Sequence, residues 1–100
     1  MNIKINDVHF NADQKLVDFI NKKVSKLETF FDGIISVEVI LKVIKPETSN
    51  NKEVELKISI PTKDYLFAKK QADSFEEAID LSVDAVKRQL SKYKERLHDK

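Results

Sequence analysis

Hydrophobic and polar residues alternate in several segments of the chain, and apolar residues recur at helical spacing in two others. In residues 2–10, Ile3 and Ile5 stand between polar neighbours, and this period of two predicts a first strand. From about residue 12 to residue 29, apolar residues are spaced by three and four, which predicts a first helix. The apolar stripe of that helix consists of Leu16, Phe19, Ile20, Val24 and Leu27.

The residues at the two ends of this helix fit its predicted boundaries. Asn11, followed three positions later by Gln14, resembles a capping box, so we expect Asn11 to cap the helix. At the other end we expect Phe30 and Phe31 to close the helix against the sheet. The dipeptide at 32–33, Asp-Gly, then supplies a turn.

Three more strands are predicted after this turn. Residues 36–44 are rich in β-branched side chains, and residues 53–60 alternate strictly between apolar and polar. The polar segment 46–52 predicts a hairpin loop between them, and a turn at 61–64 leads to a shorter strand at 65–72. The strand at 53–60 directs Val54, Leu56, Ile58 and Ile60 inward and Glu53, Glu55, Lys57 and Ser59 outward. Such a strand is typical of an antiparallel sheet with one solvated face.

Residues 74–100 predict one long amphipathic helix. Ser74 and Glu77 form a capping box at its start. Its apolar stripe consists of Phe75, Ile79, Val83, Val86, Leu90, Tyr93 and Leu97. The order β-α-β-β-β-α therefore predicts an α+β fold over residues 1–100, a single domain in which a four-stranded sheet carries both helices on one face of a two-layer sandwich.

Composition excludes several classes of function. The chain has no cysteine, which rules out a disulfide framework, a thiol nucleophile and a cysteine-ligated metal. His9 and His98 lack metal-ligand spacing, and the single glycine, Gly33, cannot form a glycine-rich phosphate loop. We expect neither an enzyme nor a cofactor, a metal or a small-molecule substrate. No signal peptide and no apolar run of about 20 residues is visible, so a cytoplasmic protein is predicted.

Charge is distributed unevenly along the last helix. Residues 87–100 contain six basic and two acidic residues, a net charge of +4, whereas the other 86 residues carry −3. The basic end suits a polyanionic partner, because Lys and Arg neutralise phosphates and release their counterions. Acids at a helix N-terminus and bases at its C-terminus also complement the helix dipole, although that effect fades beyond the terminal turns. Both explanations remain open at this point.

The basic residues of both predicted helices lie beside the apolar stripes. On the first helix they form one border: Lys15, Lys22 and Lys26, with Lys23 near its edge. On the last helix Arg88, Lys92 and Arg96 share a face, and Lys87 and Lys94 lie at the opposite border of the stripe. Side-by-side packing would merge the two sets into a patch, but the sequence does not decide whether they face each other. The alternative is a pair of ordinary solvated helix faces.

Aromatic residues are candidates for stacking on bases. Tyr65 and Phe67 alternate along the predicted last strand, whereas Tyr93 belongs to the apolar stripe of the last helix. We therefore expect Tyr93 to pack in the core.

The C-terminal segment at 74–97, SFEEAIDLSVDAVKRQLSKYKERL, resembles the signature of the ribosome hibernation-promoting factor and ribosome-associated inhibitor A family. The matching elements are the Ala-Ile-Asp at 78–80 and the basic stretch at 88–94. Residues 22–32 and 36–41 also resemble family segments. The likeness covers essentially the whole chain, in the same order of elements. One departure is that Asn6-Asp7-Val8 precedes His9, where the family often has a glycine.

The resemblance implies a stress or stationary-phase factor that binds the small ribosomal subunit in the mRNA channel near the decoding centre. There it overlaps the A and P tRNA sites, blocks translation and preserves inactive ribosomes. Family residues on the two helices contact 16S rRNA, which implies RNA binding by Lys22, Lys23, Lys26, Arg88, Lys92, Lys94 and Arg96; we add Lys87 to this predicted set. The chain resembles the short form of the family, without the dimerisation domain of the long form, and a monomer is expected.

Two other classes of function remain as alternatives. A double-stranded-RNA-binding module shares an α-β-β-β-α core, but Glu76, Glu77 and Asp80 occupy the start of the last helix, where that fold has a basic cluster. A protein-interaction domain that does not bind RNA would carry its basic helix end only to complement the dipole.

Overall fold

The structure is a computed structural model that describes residues 1–45, 47–62 and 64–98. Its elements follow the predicted order: β1 (Asn2–Val8), α1 (Gln14–Phe30), β2 (Ser36–Val43), β3 (Lys52–Ser59), β4 (Tyr65–Ala72) and α2 (Phe75–His98). Lys100, which contributes to the basic charge of the chain end, lies outside the described residues.

The four strands form one sheet in the order β1-β2-β3-β4. β1 and β2 are parallel and are joined by α1, because a parallel pair requires a crossover connection. The other neighbouring strands are antiparallel. One row of the register passes from Ile5 to Val39, Leu56 and Ala68, so that four apolar side chains share one face of the sheet.

Both helices cover this apolar face, and the core lies between the two layers. α2 packs on β3 and β4, and α1 packs beside α2. The helix side chains that are completely buried include Ile20, Val24 and Leu27 of α1 and Ile79, Val86 and Leu90 of α2. Burying each such side chain contributes about 1.5–3 kcal/mol. The predicted two-layer α+β sandwich is confirmed.

The start of α1 differs from the prediction. Asp13, and not Asn11, is the cap: its backbone is extended and its Oδ1 accepts a hydrogen bond from the backbone N–H of Leu16 at 2.8 Å. The helix accordingly begins at Gln14. The predicted cap of α2 is confirmed, because the hydroxyl of Ser74 accepts a hydrogen bond from the backbone N–H of Glu77 at 3.1 Å.

The turn between β1 and α1 contains a left-handed residue. His9 has a φ of 63°, a region in which histidine is enriched over most residues other than glycine. Asp7 stabilises the turn, because its Oδ2 accepts a hydrogen bond from the backbone N–H of Ala12 at 2.7 Å. Phe10 then stacks on Phe75 at the start of α2, with ring centroids 5.2 Å apart.

The aromatic residues after α1 pack against α2. Phe30 and Phe31 are half-buried against the core, and the ring of Phe31 meets that of Tyr93 edge-on at 5.4 Å. Tyr93 is therefore half-buried and packs against the core, which it was predicted to join. A Cβ at Gly33 would lie 2.8 Å from the Phe31 ring, so glycine permits this ring to fold back over the turn.

The alternation of β3 predicted that Glu53 lies on an open, solvated surface, but the structure shows that it does not. Its residue exposure is only 5%. Neighbours on β4 cover it: Lys69 Nζ is 3.7 Å from its carboxylate, and Gln71 Nε2 donates a hydrogen bond to it at 3.3 Å. The burial arises because long side chains of the neighbouring strand lie across the outward position.

Candidate functional site

α1 and α2 lie side by side and run in the same direction. Among the described residues, two polar side-chain contacts join them: the ion pair between Lys23 and Asp80 at 3.4 Å, and the hydrogen bond that Lys94 Nζ donates to the Phe30 carbonyl at 3.1 Å. Lys23 precedes Phe30 on α1, and their respective partners, Asp80 and Lys94, follow the same order on α2. The C-terminal halves of both helices are therefore neighbours. The sequence did not decide whether the basic residues of the two helices face each other, and this arrangement decides it.

This arrangement brings one group of the predicted residues together. Asp80, Lys87 and Lys94 are spaced by sevens and share the border of α2 that faces α1. On α1, Lys22 and Lys26 lie on the solvent side of Lys23. We call the group along the contact between the helices the basic seam; it consists of Lys22, Lys23, Lys26, Lys87 and Lys94.

The other group lies on the opposite border of α2, beside the outer edge of β4. Gln89 identifies that border, because its amide hydrogen-bonds the backbone of Phe67 on β4. Lys92 and Arg96 follow it one and two turns later. Arg88 projects toward solvent between the two borders. The predicted residues therefore surround the end of α2 and do not form one continuous line.

Contacts distinguish the predicted residues from one another. Lys23 and Arg88 are held in ion pairs with Asp80 and Asp84, the second at 2.8 Å. Lys94 donates to the last carbonyl of α1 and lies 4.8 Å from the centroid of the Phe30 ring. Within the described part of the chain, the following predicted residues make neither an ion pair nor a side-chain hydrogen bond: Lys22, Lys26, Lys87, Lys92 and Arg96.

The ion pair between Arg88 and Asp84 on the solvent face of α2 changes the pKa of Asp84. The hydrogen bond from Arg88 lowers the pKa of Asp84, and the charges of Arg88 and Lys87 lower it further. Asp84 therefore stays ionised and offsets part of the Arg88 charge at neutral pH. Arg88 is accordingly a weaker anion ligand than its position alone indicates.

The described residues lack the features of two other kinds of site. Across the described residues, no group of three or more histidine, aspartate or glutamate side chains is placed to hold a metal ion. No helix in those ranges is both long and apolar enough to cross a membrane.

Sequence reasoning missed two features beside α2. The first is the contact between Gln89 and Phe67, for which the only signal was a polar residue bordering the apolar stripe. The second is a groove of about 400 Å³, here called the β4–α2 groove. It is lined by Ile60, Asp64, Tyr65, Leu66, Gln89, Lys92, Tyr93 and Arg96.

The chain matches proteins of known family. The family described as sigma 54 modulation protein / S30EA ribosomal protein matches residues 3–98. A ribosome hibernation promoting factor of Pseudomonas putida is 33% identical over 96 residues, covering 96% of this chain and 89% of that protein. A ribosome hibernation promotion factor of Bacillus subtilis is 28% identical over 101 residues, covering 100% of this chain but only 52% of that protein.

Solved structures share the fold. A ribosomal subunit interface protein from Coxiella burnetii superposes with a TM-score of 0.83 at 23% identity, covering 94% of this chain and 98% of that one. The N-terminal domain of Thermus thermophilus Protein Y gives a TM-score of 0.75 at 21% identity, covering 93% and 99%. The family match spans nearly the whole chain, and the chain therefore belongs to the sigma 54 modulation protein / S30EA ribosomal protein family, as its resemblance to the ribosome hibernation factors indicated.

Proposed function

We propose that this protein is a ribosome hibernation factor that binds the small ribosomal subunit near the decoding centre and inhibits translation under stress or in stationary phase. Family membership and the names of its relatives support a role in ribosome hibernation. The partner is 16S rRNA within the small subunit. The proposal places the protein in the cytoplasm, as a monomer.

The observation that carries this proposal is the set of basic residues that stay without an ion pair at the C-terminal halves of two neighbouring helices. Among the described residues, those that make neither an ion pair nor a side-chain hydrogen bond are Lys22, Lys26, Lys87, Lys92 and Arg96, and Lys94 makes no ion pair but donates to the Phe30 carbonyl. Cations that are not paired within the protein are available to RNA phosphates, and each phosphate contact releases counterions. Such contacts supply affinity and fix orientation without reading sequence.

Inhibition follows from occupation of space. The folded body measures 50 × 23 × 19 Å along its principal axes, and both of its layers are joined by one packed core. A body of this kind, held at the decoding centre by phosphate contacts, excludes mRNA and tRNA by its volume. The protein needs no catalytic residue for this effect.

Competition with mRNA and tRNA tests the proposal. Purified small subunits are incubated with the protein either empty or loaded beforehand with mRNA and initiator tRNA, and are then separated on sucrose gradients. We expect the protein to migrate with empty subunits and to be excluded from loaded ones. Equal binding to both would contradict the steric mechanism.

The same subunits, compared with an RNA duplex as a second ligand, separate the two alternative functions. Equal affinity for an RNA duplex and for small subunits would favour a double-stranded-RNA-binding module. Absence from all ribosomal fractions would favour a protein-interaction domain that does not bind RNA.

A further inference from the structure

The outward face of the sheet is the face that neither helix covers, since both helices pack on the opposite, apolar face. Leu66 of β4 is in register with buried Ile58 of β3 and therefore points toward the helices. Side chains alternate between the two faces of a strand, so the neighbours of Leu66, Tyr65 and Phe67, project outward. Although Tyr65 borders the β4–α2 groove, its ring thus points away from α2.

Tyr65 and Phe67 are also the exposed aromatic residues of the molecule. Their exposures are 61% and 51%, whereas every other aromatic side chain among the described residues is buried or half-buried. Two positions apart on one strand, they are separated by about 7 Å along β4. Ser59, which is in register with Tyr65, is too short to cover its ring. The two rings therefore form an open surface that the core does not require.

One cation lies beside these rings. Lys57 is in register with Phe67, and its Nζ lies 4.3 Å from the centroid of the Tyr65 ring. It makes no ion pair with any residue that the structure describes, although Glu38 is in register with it on β2. Lys69, farther along β4, is instead held by two glutamates of β3 at 3.7 and 3.8 Å. The charge that is available to a ligand therefore lies at the rings.

This combination fits RNA better than it fits a protein. Aromatic rings beside a cation are the common means of binding unpaired nucleotides, because every base can stack. Four-stranded sheets bind single-stranded RNA by stacking two or three bases on aromatic residues. The core of a protein interface is a broader apolar patch. The outward residues of β3 next to the rings are instead all polar: Glu53, Glu55, Lys57 and Ser59.

From this arrangement we infer that the outward face of β4 binds two successive unpaired nucleotides of RNA. Their bases stack on Tyr65 and Phe67, and a phosphate of the same strand lies at Lys57. The identification of the strand as ribosomal rests on the proposed function. The protein then contacts RNA through both of its layers, through phosphates at the helices and through bases at the sheet.

Replacing the two rings by leucine provides the test, because leucine keeps apolar bulk and removes the stacking surface. Tyr65→Phe keeps both rings, and Leu81→Ala removes an exposed apolar side chain from α2 as a matched control. Binding of a labelled five-nucleotide single-stranded RNA, and of purified small subunits free of mRNA, is measured at several salt concentrations. Tyr65→Leu/Phe67→Leu is expected to weaken both interactions by about tenfold or more. Its salt dependence is expected to be unchanged, since stacking releases no counterions.

Tyr65→Phe and Leu81→Ala are expected to bind both ligands as the wild type does. The urea midpoint of the double leucine variant is expected to match that of the wild type, because both rings are exposed. Weakened binding of the short RNA therefore reports on the binding surface and not on unfolding.

The outcomes separate this inference from the proposed function. Wild-type affinity of the double leucine variant for the short RNA, or no binding of that RNA by the wild type, would overturn the inference; the proposed function stands if the wild type still competes with mRNA and tRNA for small subunits. If the double leucine variant loses affinity for the short RNA while the wild type does not bind small subunits, the inference stands and the proposed function fails. Loss of subunit binding in Tyr65→Ala/Phe67→Ala that leucine restores would assign the rings to an apolar protein contact and overturn the inference.

Discussion

The side-chain amide of Gln89 pairs with the backbone of Phe67 in both directions, donating to its carbonyl at 2.8 Å and accepting from its N–H at 3.3 Å. Phe67 lies on β4, whose outer edge has no neighbouring strand in the described sheet. Gln89 thus takes the place that a fifth strand would occupy and covers part of an edge that would otherwise favour association with another chain. It also attaches α2 to the edge of β4.

Replacing Gln89 by alanine removes both hydrogen bonds. We expect Gln89→Ala to lower the free energy of unfolding by about 1 kcal/mol, because the two bonds are neutral and partly solvated. We also expect faster hydrogen exchange at the Phe67 amide. Urea denaturation and NMR exchange measure the two effects. Gln14→Ala is the control, since its side chain bonds to exposed Asp18 on the same helix; equal effects of both variants would contradict the account.

Lys94 and Lys92 are predicted to differ in structural importance although both are basic residues of the same helix. Lys94 donates to the Phe30 carbonyl at the end of α1, and Lys92 is exposed. Lys94→Met is expected to lower the free energy of unfolding by about 1–2 kcal/mol, because it removes a charged donor from a helix C-terminus. Lys92→Met is expected to change it by less than about 0.5 kcal/mol. Similar urea midpoints for both variants would show that the contact of Lys94 is unimportant.

The pKa of Asp84 offers a test of local electrostatics. Arg88 lowers this pKa through its hydrogen bond and its charge, while Lys87 acts through charge alone and more weakly. We expect Arg88→Ala to raise the Asp84 pKa toward the ordinary aspartate value and Lys87→Ala to raise it less. NMR titration of the Asp84 carboxyl carbon measures both shifts. An equal shift in the two variants would refute the role of the hydrogen bond.

The lowered pKa of Asp84 also determines how the stability of the protein changes with pH. Because the pKa of Asp84 is lower in the folded protein, its ionised form favours folding at neutral pH. This contribution is lost as the pH falls through the folded pKa of Asp84. Arg88→Ala is expected to reduce this pH dependence to the smaller part that arises from Lys87.

Much of the fold could be predicted from local pattern. The alternation around Leu56 and the helical spacing around Leu90 depend on nearest neighbours and on one apolar face, and both are confirmed. The cap of α1 was placed two residues early because Asn11 and Asp13 both fit a cap, and only the path of the turn decides between them. The burial of Glu53 depends on side chains from another strand, which its own segment does not reveal.

The candidate site was less predictable than the fold. Helical spacing placed Lys87 and Lys94 at one border of α2 and Lys92 at the other, but only the packed structure shows which border faces α1. Likewise, sequence alone does not reveal that Arg88 is held by Asp84. Contacts between distant residues therefore decide which cations remain available to a partner.

We propose that basic residues along the contact between the two helices hold this protein on the small ribosomal subunit. Lys22→Gln/Lys26→Gln removes two of these charges, and Lys4→Gln/Lys42→Gln removes two from the outward face of the sheet as a matched control. Affinity for purified small subunits is measured from 50 to 200 mM salt.

The wild type is expected to lose on the order of a thousandfold in affinity across that range if about six phosphates are contacted. Lys22→Gln/Lys26→Gln is expected to bind more weakly at low salt and to reduce the log–log salt slope by about 1.5, while the control variant matches the wild type. Salt-independent binding of the wild type, or identical slopes for both double variants, would contradict the account.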